Sequence, residues 1–203
     1  MLRDGLSGRD LAIVGQVADL RLMTARQIEV IHFAPTDHEN AAAAARACRR
    51  TLERLHRERL LVRLERRIGG ARAGSASFIY ALGPVGHRVL ALSTPRPRFR
   101  EPSATFADHT LAVTQLVVDL TTHARAGRCD LLVCQPEPVC WRTFSLAGAP
   151  VVLRPDLFVA VGVDEFEYRW FCEIDRGTEH LPALLRKCRT YERYWRSGRE
   201  ADH

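Results

Sequence analysis

The stretch from Arg154 to Tyr194 constrains this chain most. Leu157, Val159 and Val161 alternate with Phe158 and Ala160, an unbroken apolar run that predicts a strand buried on both faces. After a polar turn over 162–167, Tyr168 to Ile174 forms a second aromatic and β-branched run. From Thr178 the period changes. Leu181, Leu184, Leu185, Cys188, Tyr191 and Tyr194 follow at steps of three or four, which predicts a helix with those residues on its core face. Acids mark the strand ends: Asp156 opens the first, and Glu173 and Asp175 close the second on one face. Carboxylates gathered at neighbouring strand ends can hold a hard divalent cation, so Asp156, Glu173 and Asp175 are candidate metal ligands and catalytic acids. A plainer arrangement fits the same residues, with Asp175 starting a turn, Glu173 pairing with an arginine and Thr178 capping the helix.

Charge divides the chain. Residues 1–103 hold 18 arginines against 10 acids, a net of +8, whereas residues 104–203 hold 12 basic and 14 acidic groups, a net of −2. A basic module joined to a mildly acidic one suits a nucleic-acid binder with a second domain. Lys187 is the only lysine among thirty basic residues. The six cysteines form no CxxC pair, so reduced, mostly buried thiols are expected rather than a zinc site. With no run of eighteen apolar residues and no signal-peptide pattern, a cytoplasmic protein away from membranes is expected. Gly69-Gly70 lacks a following helix and a Lys-Ser/Thr pair, which argues against ATP or GTP use.

In the basic half, Ser7-Gly8-Arg9-Asp10 and Thr24-Ala25-Arg26-Gln27 each read as a capping box opening a short helix. Thr36-Asp37-His38-Glu39 reads as a third, opening a helix to about Glu58 with Ala41, Ala44, Ala45, Cys48, Leu52 and Leu55 as its apolar stripe. Two strands follow, Leu60–Ile68 and Phe78–Leu82, joined by a Gly-rich basic tip, and then a short helix over Pro84–Leu92. Three helices followed by a hairpin give the winged helix-turn-helix order. In that arrangement Arg46, Arg49, Arg50 and Arg57 on the third helix, His38 and Asn40 at its start, and Arg72 on the wing are the candidate DNA contacts.

Residues 93–103, with three prolines and three arginines, read as a linker. Beyond it a helix to Ala126 is expected, capped by Thr105 or Asp108, with Phe106, Val113, Leu116, Val117 and Leu120 facing the core and Gly127 at its C′ position. A strand over Cys129–Cys134 and an irregular hairpin then lead back to Arg154.

Asp156, sixteen intervening residues and then Glu173-x-Asp175 resemble the PD-(D/E)xK nuclease signature, with Asp175 where that signature has lysine. The order of the second half resembles that core as well. With the winged helix-turn-helix order over 1–92 and the linker over 93–103, this resemblance implies an α+β chain in two domains, the second a restriction-endonuclease-like domain over 104–203. Lys187, on the last helix, is the candidate replacement for the missing catalytic lysine. Weak Mg²⁺ or Mn²⁺ binding is expected at most, with no other cofactor and no robust cleavage.

His109-Thr110-Leu111-Ala112-Val113, Arg154-Pro155-Asp156, Glu173-Ile174-Asp175-Arg176-Gly177-Thr178-Glu179, Lys187, Tyr191 and Tyr194, behind the N-terminal helices, resemble the replication-relaxation family of actinobacterial plasmids and integrated elements. That resemblance implies a DNA-associated role in replication, transfer or regulation of a mobile element. Double-stranded DNA is the expected partner, with a homodimer as the expected state. Two alternatives stand beside it: a metal-dependent nuclease, and a module that docks a relaxase or DNA-translocating ATPase.

Overall fold

The computed structural model describes residues 5–64, 78–91, 101–177 and 179–199. These form six α-helices and three small antiparallel sheets, divided into two compact units, residues 1–127 and 128–203.

The first unit begins with α1 (Gly8–Leu20) and, after a three-residue strand β1 (Leu22–Thr24), α2 (Ala25–His32). Both expected capping boxes are present. Ser7 and Asp10 satisfy each other's backbone N–H groups, as do Thr24 and Gln27. The third expected box is displaced. Residues 35–37 make a 3₁₀ turn, and α3 (Ala41–Arg57) is capped by Asn40, whose side-chain oxygen accepts from Ala43 N at 2.9 Å. Strands β2 (Leu61–Leu64) and β3 (Ile79–Leu82) pair antiparallel, and β1 adds on the far side of β3 to give the order β1-β3-β2.

Helix α4 (Pro84–Val89) follows, and its approach requires glycine: a Cβ on Gly83 would lie 2.3 Å from the Arg59 carbonyl oxygen. Ile13, Val14, Val17, Ile28, Leu52 and Leu55 form the core. Across it, Arg54 holds the buried Asp10 at 2.6 Å. Burial opposes ionisation of that carboxyl, but Ser7 and Arg54 outweigh it and its pKa falls below the usual value.

The long helix α5 (Ala104–Arg125) lies in this first unit rather than opening the second. Its anchors are specific. Thr114 Oγ1 donates to Leu22 O at 2.9 Å, Gln27 Nε2 donates to Leu111 O at 3.2 Å, and Arg125 donates to Val30 O at 2.8 Å. Ser103, not Thr105 or Asp108, caps it, and its buried face is Ala107, Thr110, Val113, Thr114, Val117 and Val118. Small and hydroxyl-bearing residues thus do much of the packing expected of Phe106, which is exposed. Gly127 takes the C′ position with φ +67°.

The second unit contains β4 (Asp130–Pro136), the hairpin β5 (Arg142–Leu146) and β6 (Ala149–Leu153), then β7 (Leu157–Val163), β8 (Phe166–Cys172) and α6 (Leu181–Arg196). Strand β7 is central in the order β4-β7-β8 and is buried from Leu157 to Val161, as its unbroken apolar run predicts. Helix α6 departs from expectation. Leu181, Leu184, Leu185 and Cys188 are exposed, and Tyr194 alone is buried. Lys187, Tyr191 and Tyr194 lie about 100° around the helix from the leucine stripe, and that polar-aromatic side makes the contacts with the rest of the unit.

Candidate functional site

Two groups of residues carry the chemistry. On α3 the buried face is Ala44, Cys48, Leu52 and Leu55, while Arg46, Arg49, Arg50 and Arg57 are exposed on the opposite side. At 100° per residue the four arginines fall within one side of the helix, so the amphipathic pattern that buries one face aims the other outward. Asn40 is exposed at the N-terminus with its oxygen used as the cap. His38 is half-buried, stacked on Phe33 at 6.1 Å. Arg72 lies outside the described residues.

The second group lies at the end of the β7–β8 pair. The Asp156 carbonyl oxygen accepts from Glu137 N at 3.1 Å, and its backbone N–H donates to Cys172 O at 3.1 Å. Its carboxylate Oδ2 accepts from Ile174 N at 2.7 Å. That bond draws the chain after β8 back toward the start of β7, so Asp156 and Glu173 share one sheet end. Glu173 Oε2 accepts from Lys187 Nζ at 2.9 Å and Oε1 from the Tyr191 hydroxyl at 2.8 Å. Lys187 also pairs with Glu179.

Two carboxylates therefore flank one ammonium. Partial burial opposes its charge, but the hydrogen bonds it donates to Glu179 and Glu173 outweigh this and raise the Lys187 pKa. Burial, reinforced by the bond to Glu173, raises that of Tyr191 too. Asp175 Oδ1 accepts from Gly177 N at 2.8 Å, closing the turn before α6 at a glycine with φ +74°.

Of the four sequence-derived candidates, Asp156, Glu173 and Lys187 are thus brought into one neighbourhood, while Asp175 closes the turn at Gly177. Tyr191 and Glu179 complete it; the sequence placed Tyr191 on the expected core face of the helix and gave Glu179 no role of its own. The signal available for Tyr191 was its i,i+4 spacing from Lys187, which puts both on one helix face. Arg154, which flanks the cluster in sequence, stacks over Trp141 at 5.0 Å.

Both Glu173 oxygens are engaged, one by Lys187 and the other by Tyr191. Among the described residues no three His, Cys, Asp or Glu side chains form a group that could hold a metal ion.

The sequence profile of the replication-relaxation family matches residues 15–203, nearly the whole chain. The chain belongs to the replication-relaxation family. No curated protein matches it. No solved structure matches it either. Among the described residues of this family member, no helix is long and apolar enough to cross a membrane.

Proposed function

We propose that this replication-relaxation protein binds double-stranded DNA through α3 and acts in replication, transfer or regulation of a plasmid or other mobile element. The observation that carries this is the division of α3 into a buried apolar face and an exposed face of Arg46, Arg49, Arg50 and Arg57. In the first unit the order α1-β1-α2-α3-β2-β3, with its β1-β3-β2 sheet, supports a winged helix-turn-helix in which α3 enters the major groove. Arg49 and Arg50 reach bases and phosphates there, and Asn40 lies at the end that meets the groove first. Family membership supports the biological setting. Random-oligonucleotide selection with the purified protein tests the proposal: a shared motif is expected, and an unenriched pool would contradict it.

For the second unit we propose a PD-(D/E)xK-like core in which Lys187 stands where a catalytic cation would act. The β4-β7-β8 meander followed by α6, with Asp156 and Glu173 at one sheet end, supports it. Lys187 and Tyr191 saturate Glu173, so cleavage would need that arrangement undone. Supercoiled DNA incubated with the protein and Mn²⁺ should stay intact. Nicking abolished by both Asp156→Ala and Lys187→Ala would overturn this.

A further inference from the structure

We propose that two copies of this chain join through β8, antiparallel, with Tyr168 opposite Tyr168 of the second copy. Strand β8 is an edge: among the described residues only β7 pairs with it. It is exposed from Phe166 to Trp170, at 66% for Phe166, 44% for Tyr168 and 48% for Trp170. Native proteins rarely leave a long aromatic edge open, because its unpaired N–H and C=O groups are a template for another strand.

The direction of those groups is set by the turn. Asp164 and Glu165 form a two-residue connection, so Val163 and Phe166 are the closing pair. Phe166, Tyr168, Trp170 and Cys172 therefore turn their backbone groups to β7, and the Cys172 carbonyl accordingly accepts from Asp156 N. Glu167, Arg169 and Phe171 turn theirs outward. A two-fold axis through the middle of β8 makes the pairing antiparallel and self-complementary. Placing Tyr168 on the axis sets Glu167 opposite Arg169 of the second copy, a pair whose backbone groups point at each other. Phe166 then faces Trp170 across the closer, non-hydrogen-bonded positions.

Charge selects this register. Glu167 and Arg169 already pair within one copy at 2.6 Å on one face of the strand, and across the axis they alternate in sign. The neighbouring registers with the same backbone alignment would set Glu167 against Glu167, or Arg169 against Arg169, which is destabilising. The ladder also favours protein over nucleic acid as its occupant. Tyr168 and Trp170 stack on each other at 5.6 Å and 5°, and Asp164, Glu165 and Glu167 would repel phosphates.

Sedimentation equilibrium on the full chain tests this. Wild type should dimerise, and Glu167→Arg or Arg169→Glu alone should raise the dissociation constant roughly ten- to a hundredfold. Mixing the two single variants should restore a heterodimer, and the double reversal a homodimer, a rescue that only folded copies can give. A monomeric wild type, or a dimer indifferent to the single reversals, would overturn the proposal. So would a monomer that loses DNA binding on Trp170→Ala, which would make the ladder a base-stacking surface. DNA binding by α3 is read separately, by gel shift on the same variants.

Discussion

Helices α3 and α6 carry much of the chain's arginine, yet they are held by opposite means. On α3 the apolar stripe is buried: Cys48, Leu52 and Leu55 are at most 1% exposed, and the arginines project away from them. On α6 the apolar stripe of Leu181, Leu184 and Leu185 faces outward. What fixes α6 is Tyr194 against Phe144 and Phe171, together with the Lys187 and Tyr191 bonds to Glu173. A cavity of about 790 Å³, lined by Phe158, Phe171, Tyr191, Tyr194 and Trp195, remains beside it. Two basic amphipathic helices thus differ in what holds them: burial of a whole apolar stripe in one, a buried tyrosine joined to a polar clasp in the other.

The sharpest break of that comparison is one substitution made on both helices. Leu55→Ala should cost the first unit about 2–5 kcal/mol in urea unfolding, because it leaves a cavity in a closed core. Leu185→Ala should change stability by no more than about 1 kcal/mol, since that residue is already 47% exposed. Similar losses at the two sites would erase the contrast.

Removing the clasp comes next. Glu173→Gln should destabilise the second unit by about 1–3 kcal/mol, with an effect that shrinks as salt rises. Hydrogen exchange along α6 would show where the loss falls; unchanged protection there would mean that Tyr194 alone seats the helix.

A third test is a pH dependence confined to the first unit. Burial, aided by Arg125 and Arg9, lowers the His32 pKa from 6.5 to about 4. A depressed histidine pKa means that the unfolded chain takes up the proton first. His32 therefore lowers stability as pH falls from about 6.5 to about 4, and contributes no further change below that. His32→Leu should flatten this part of the stability profile, and an unaltered slope would place the titration elsewhere.

What was legible in the sequence was local. Capping boxes at Ser7 and Thr24, the apolar run of β7 and the stripe of α3 each depend on neighbours within a few residues. Asn40 displaced Thr36 as a cap because Pro35 opens a 3₁₀ turn, an outcome that two rival caps so close together leave undecided. Strand β1 is three residues long, too short for any period to show. The placement of α5 rests on bonds from Thr114 to Leu22 and from Gln27 to Leu111, more than eighty residues apart, which no sequence pattern encodes. On α6 two stripes lie side by side. Spacing alone joined the leucines to Tyr191 and Tyr194, and the phase was decided by the bonds of Glu173. Asp156, Glu173 and Lys187 could be marked as candidates from residue type, but their charge balance could not, because it depends on Glu179 and Tyr191.

The central claim is that the arginine face of α3 meets DNA phosphates. The most direct measurement is the slope of log affinity against log salt for a selected duplex, with wild type beside Arg49→Ala/Arg50→Ala. Affinity should fall steeply with salt, and the double variant should bind more weakly with a slope shallower by about 2. An unchanged slope and affinity in that variant would contradict the claim.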